Sequence, residues 1–375
     1  IHHSGKPYII YKSDKGFDLY TNFSKKIILD NKNITNFLNK KYKNKQKSTD
    51  LLIGFFSYEL LNNLINVRIH RQKNINFPKG IFYKLEKKIT INEKLHYRSE
   101  ESFKKSKFKI NINKNSYTKI FDKFKKKIKS GDTYQIKICT KYKTKSKINP
   151  LDFFSRLSQT NLAPEAFMIR DKNFSIISCS PENLILKKGS YISTKPIAGT
   201  VKKTKTINKI KALKYFKKNL KETKEHNMIV DMERNDLSRI CNVGSVKLVK
   251  QKIVEEYKDL FHYVSLIKGK LKKNTKNIDI IKAMMPGGSV IGCPKINTLN
   301  LLNKQEKENR NIYTGSFGYI KFNGDMRFNI IIRSILNFKN ISEISVASGV
   351  VVDSNARHEF NENYIKAKAL IDLFK

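Results

Sequence analysis

Residues 329–333 read Asn-Ile-Ile-Ile-Arg. So short and apolar a run suits a buried strand. The guanidinium that closes it needs an anion, best a carboxylate gripped by two N–H groups. Any fold for this chain must bury the run and still bring an anion to Arg333, as a structural ion pair or as a ligand.

Other segments set the company this strand keeps. Leu51-Leu-Ile-Gly-Phe-Phe-Ser-Tyr58 reads as a second buried strand. Tyr117, Ile120, Phe121, Phe124 and Ile128 recur at helical spacing, which predicts a helix over 117–129 capped by Ser116, with Gly131 beyond its end. Residues 135–139 alternate, so Gln135, Lys137 and Cys139 share one strand face, and that face can line a site. Residues 225–237 begin apolar at Met228-Ile229-Val230 and end in a polar turn at Arg234-Asn235-Asp236. A strand over 344–352 and a terminal helix over 356–374 complete an interleaved, mixed content. Residues 30–50 are lysine-rich and read as a surface loop.

The chain has 375 residues and no Pro/Gly/Ser-rich linker, which fits one catalytic domain over 1–375 with a short or truncated part over about 1–50. No apolar stretch has the roughly 18 residues of a membrane span, and no signal-peptide core precedes the first motif, so a cytoplasmic protein is expected. Cys139, Cys179, Cys241 and Cys293 are scattered, as free thiols would be. The net charge is +44. Such a charge could serve nucleic-acid binding, but the lysines fill almost every polar stretch and form no single patch. They read as biased filling of exposed positions, with no specific nucleic-acid partner, and their field can draw in an anionic substrate.

Several groups could carry chemistry. Glu359, Glu362 and Lys366 share one face of the terminal helix, and Glu222 and Glu225 form a second acidic pair beside His226. Carboxylates converging from separate elements suit Mg²⁺, a hard cation with oxygen ligands; a solvated face with a Glu362–Lys366 pair is the plainer reading. Ser180-Pro181-Glu182 can be a turn, His262 a core histidine, and the run Gly287-Gly288-Ser289…Gly292 a tight turn or an anion-accepting loop.

Taken in order, Gly131-Asp-Thr-Tyr-Gln135, Ser180-Pro-Glu182, Pro196-Ile-Ala-Gly-Thr200, Glu225-His226, Arg234-Asn-Asp-Leu237, Pro286-Gly-Gly-Ser289, Gly292-Cys-Pro-Lys295 and Glu359…Glu362…Lys366 resemble the chorismate-utilising enzymes over about residues 50–375. That family takes in component I of anthranilate synthase and of aminodeoxychorismate synthase, and isochorismate synthase. The resemblance implies an α+β fold, a single large domain with two packed β-sheets enclosed by helices. It implies that Glu225, Glu359 and Glu362 hold Mg²⁺. Glu182 would be the general acid that protonates the departing hydroxyl, a poor leaving group otherwise. His262 would lie near the enolpyruvyl group, and Arg333, Tyr319, Gly287, Gly288, Ser289, Gly349 and Lys366 would bind substrate.

Two positions divide the family by reaction. Isochorismate synthases carry a lysine base where Gln135 stands, and glutamine takes no proton at neutral pH. Many aminodeoxychorismate synthases carry at position 198 a lysine proposed to add covalently to the ring; Ala198 cannot. The 286–295 and 313–319 motifs nevertheless look more like aminodeoxychorismate synthase. The expectation is therefore amination of chorismate to aminodeoxychorismate, a step toward para-aminobenzoate and folate. Ammonia would come from a separate glutamine amidotransferase subunit, since the chain shows no Cys-His-Glu glutaminase pattern. Anthranilate synthase, serving tryptophan formation, is the alternative; a basic nucleic-acid-binding protein with a decayed site is the remote one. Two departures from the family are Ala347-Ser348-Gly349 for its Gly-x-Gly, and Arg327 for a frequent aspartate.

Overall fold

The structure is a computed structural model that describes residues 5–67, 69, 76–91, 97, 106–204, 206–257 and 260–375. Its strands form one continuous antiparallel network. Gln135–Lys145 pairs with Ile341–Val350, then come Ser334–Phe338, Phe174–Ser180, Glu165–Arg170 and Tyr8–Ser13. The long strand Gly16–Leu29 carries the ladder on to Gly80–Ile91. Leu51–Phe56, Ser316–Lys321, Met326–Asn329, Asn183–Lys188, Tyr191–Lys195 and Leu260–Lys270 follow.

The network folds over so that its two halves face each other. Phe167 from the first half stacks on Phe317 from the second with ring centroids 3.8 Å apart, and Ile53, Phe55, Ile81, Ile176 and Leu336 fill the same layer. The class is therefore α+β, and the two expected sheets are two halves of one ladder. The N-terminal strands link those halves, and Ile9 is fully buried. Helices cover the outer faces. Pro150–Asn161 and Ala356–Ile371 pack through Phe153, Phe154, Ala367 and Leu370 on one side. Leu220–Ile240 and Asn277–Met284 pack through Val230, Leu237, Ile281 and Met284 on the other.

Local expectations change in four places. The first long helix runs Lys114–Lys129, and its cap is Asn113, whose side chain accepts from the Ser116 N–H at 2.9 Å. Residues 30–50 include a helix, Ile34–Asn39, anchored by Ile34, Phe37 and Leu38. The polar turn at 234–236 is instead the interior of the helix Leu220–Ile240. Arg234 and Asn235 form its exposed face, while Asp236 turns inward to a buried ion pair with Lys295. Lastly, Ile330–Ile332 is not a strand. One strand ends at Asn329 and the next begins at Ser334, and the four residues between cross from one half to the other.

A second crossing lies beside it, at Pro181-Glu182, between Phe174–Ser180 and Asn183–Lys188. The ladder is interrupted there, so buried backbone groups need other partners. Ser180 Oγ donates to the Ile330 carbonyl at 2.6 Å and Ser178 Oγ to that of Ile332 at 2.9 Å. The Ile330 N–H donates to the Glu182 carbonyl at 3.1 Å, and that of Cys179 to Arg333 at 3.2 Å.

Arg327, the family's missing aspartate, has a partner of its own. Its Nη2 lies 2.7 Å and its Nε 3.1 Å from Oε1 of Glu165, whose side chain is only 1% exposed. The Tyr11 hydroxyl donates to the same carboxylate. Removing one member of a buried pair strands the other. Arg327→Met should therefore lower the unfolding free energy by about 2–4 kcal/mol in urea denaturation; a loss below about 1 kcal/mol would place the pair among weak surface contacts.

Candidate active site

The double crossing forms one wall of a cleft of about 1080 Å³ that Glu182 and Arg333 both line. Arg333 holds a positive φ of 48°, a conformation that costs a non-glycine residue about 1–3 kcal/mol and persists where the surroundings enforce it. Among the described residues no carboxylate forms an ion pair with it, and burial lowers its pKa against an opposing pull from Cys179. An anion that enters the cleft meets this guanidinium with no carboxylate paired to it among the described residues.

Glu182 is buried, and Ser289 Oγ donates to its Oε1 at 2.7 Å. Burial raises its pKa to about 7, against opposing pulls from the Ser289 hydrogen bond and the charge of Lys137. Near neutrality it holds a proton that it can give away. His262 is 2% exposed and hydrogen-bonds the Gly199 backbone; burial, then Arg333, brings its pKa down to about 4, so it is a neutral imidazole.

The opposite wall is acidic. Glu359 and Glu362 come from the helix Ala356–Ile371, whose Asn355 cap accepts from the N–H groups of Arg357 and His358. Candidate ligand atoms of His358, Glu359 and Glu362 lie within 4.8 Å of one another. The pKa of Glu362 is lowered: burial opposes the shift, and Lys366, Glu359 and Lys137 favour the charged form. The two carboxylates offer the oxygen donors that a hard cation such as Mg²⁺ takes, and exposed His358 adds a nitrogen. Lys366 bonds Glu362 at 2.6 Å and the Ala347 carbonyl at 3.1 Å. Glu225, from the helix Leu220–Ile240, also lines the cleft but falls outside that group. Gln135 Nε2 donates to its Oε1 at 2.9 Å and Lys137 Nζ at 2.8 Å. Its pKa is held down to about 2, mainly by Lys137.

The cleft thus brings together Glu182, Ala198, Glu225, Ser289, Arg333, Gly349, Glu359, Glu362 and Lys366. Other expected site residues lie elsewhere. Tyr319 is in the core between the two halves, its ring 6.5 Å from that of Tyr11. That placement corrects its substrate-binding assignment, because its strand turns it away from the cleft. Gly287 and Gly288 back the wall instead of lining it: a Cβ on Gly288 would lie 2.1 Å from the Met232 sulfur. Gln135 stands behind Glu225 as its hydrogen-bond partner, and His226 turns away to Ser265 at 2.7 Å. Lys295 serves structure through Asp236. Lys137 is the cleft residue that motif reading passed over, although it shares the Gln135 face of its strand.

The raised pKa of Glu182 has a consequence for stability. The folded chain holds this proton to about 7 against an ordinary 4.5, so it binds more protons than the unfolded chain across that window. The group's contribution to stability then falls as pH rises through the window. Glu182→Gln should gain on wild type by roughly 1–3 kcal/mol from about pH 5 to about pH 8 in denaturant titrations. A difference that does not change with pH would mean that Glu182 ionises normally.

The chain is similar to several known proteins. The family model described as chorismate binding enzyme matches residues 6–372. Aminodeoxychorismate synthase component 1 of Bacillus subtilis (strain 168) is 35% identical over 264 residues, 70% of this chain and 56% of the relative, so the match spans little more than half of that protein. An anthranilate synthase component I-like protein of Synechocystis is 31% identical over 346 residues, 85% of this chain and 71% of the relative. The solved structure of anthranilate synthase component I from Streptococcus pneumoniae TIGR4 has a TM-score of 0.79 at 26% identity, covering 97% of this chain and 90% of that one.

Proposed function

We propose that this chain, which belongs to the chorismate binding enzyme family, aminates chorismate with ammonia to give aminodeoxychorismate. The observation that carries the reading is Glu182, a carboxyl that keeps its proton to about 7 in a cleft between a guanidinium with no carboxylate partner among the described residues and a cluster of carboxylates. Chorismate is a dicarboxylate with a hydroxyl that must leave. Arg333 takes the enolpyruvyl carboxylate in a two-point grip. Glu225, Glu359 and Glu362 would hold Mg²⁺, which when bound supplies the positive charge that receives the ring carboxylate. Glu182 gives its proton to the departing hydroxyl, and Ser289 keeps that carboxyl aimed. Neutral His262 donates or accepts a hydrogen bond beside Arg333 without adding charge. Gln135 takes no proton at neutral pH, which disfavours activation of water and favours ammonia as nucleophile.

Ammonia comes from a separate glutamine amidotransferase subunit. Burial raises the thiols of Cys139 and Cys179 to about 12 and that of Cys241 to about 11, and raises Cys293 too. A glutaminase nucleophile needs a thiolate, so these four thiols are poor candidates.

A second reading, anthranilate formation, is favoured by one observation. Ala198 lines the cleft where a lysine would offer a covalent route to C4, and alanine leaves ammonia to attack the ring directly. The two readings separate by product. The protein is incubated with chorismate, Mg²⁺ and ammonium, and an aminodeoxychorismate lyase is then added. Para-aminobenzoate that forms only after the lyase supports the first reading; anthranilate fluorescence that grows without it rejects that reading and promotes the second.

A further inference from the structure

Lys137 sits where the acidic wall is densest. Its Nζ is 2.8 Å from Glu225 Oε1, and its side chain is 12% exposed. Its charge also acts on Glu182, Glu359 and Glu362. Gly349 leaves the room it needs: a Cβ there would come 2.9 Å from Nζ. The ammonium therefore stands among the carboxylates that would otherwise face one another across the cleft. Glu225, the third carboxylate expected on a cation, is outside the group of close donors that His358, Glu359 and Glu362 form.

We infer that Lys137 is an internal counter-ion that competes with the divalent cation for Glu225 and so sets the cation's affinity. The inference rests on the Mg²⁺ reading above. A cation that draws on Glu225 must break the Lys137 pair or sit beside its positive charge, and either one opposes binding. Gln135 does not have this effect. It is neutral, and its 2.9 Å hydrogen bond would keep Glu225 oriented without Lys137. Lys366 pairs with Glu362 in the same way, but the side chains there are 43% and 34% exposed, so solvent screens that pair more. Lys137 is thus a positioning residue: it holds the apo site together and weakens cation binding at the same carboxylate.

The test is calorimetric titration of Mg²⁺ into wild type, Lys137→Met and Lys137→Arg, with no substrate present and the fold of each checked by circular dichroism. Lys137→Met should bind Mg²⁺ about tenfold more tightly or better, the scale of coupling between close charges. Lys137→Arg, which keeps the charge, should stay within about threefold of wild type. Lys137→Gln replaces the Met variant if that one fails to fold. A merely structural lysine would leave affinity unchanged or weaken it when lost. Equal or weaker binding by the neutral variant overturns the inference and leaves the Mg²⁺ reading standing. Binding by none of the proteins overturns both.

Discussion

The Ser180 and Ser178 hydroxyls donate to the carbonyls of Ile330 and Ile332 at the place where two strands change layers side by side. A crossing breaks the ladder, and a buried backbone group without a partner costs on the order of 1–3 kcal/mol. The serines let the crossing exist without that cost. Once it exists, Glu182 and Arg333 lie on neighbouring crossing segments, both facing one cleft. Arg333 accepts a positive φ of 48° to do so. A regular sheet through 329–334 would have kept the ladder bonds and lost this arrangement.

Electrostatics divides the cleft. On one wall Arg333 has no carboxylate to balance it among the described residues, and Glu182 beside Ser289 holds its proton up to about 7. On the other wall Lys366 offsets Glu362, and Lys137 offsets Glu225. A dicarboxylate with a cation completes both walls at once. The +44 net charge of the chain contributes little to this local balance; its lysines are spread over the surface and act at most by drawing anions toward the protein.

Motif reading named residues that the fold gathers in one cleft, and it placed the backbone less well. The acidic pair on the terminal helix, Glu182 and Arg333 stood out through the family resemblance, since residue type and spacing alone read as a solvated face, a turn and a structural ion pair; the fold brings all of them to one cleft. The apolar run 329–332 misled, since periodicity cannot tell a buried strand from a buried crossing of the same composition. Arg234-Asn-Asp236 misled for the opposite reason: a polar cluster looks like a turn, yet exposed Arg234 and Asn235 with buried Asp236 are what an amphipathic helix shows. Tyr319 lies in a strand between the halves, and only the pairing register reveals which way that strand faces. Lys137 had a usable signal, two residues after Gln135 on the same face, but in a chain this rich in lysine one more carried no weight. The Arg327–Glu165 pair spans 162 positions, and sequence spacing gives no hint of it.

The central claim is that Arg333 waits for a carboxylate of the substrate. Chorismate binding to wild type and to Arg333→Met, measured by calorimetry with Mg²⁺ and without an ammonia donor, tests it most directly. The account predicts a loss of about a hundredfold in affinity with the fold intact, since the truncated partner of a charge pair costs several kcal/mol. An affinity within about threefold of wild type would contradict it and leave Arg333 as a structural charge.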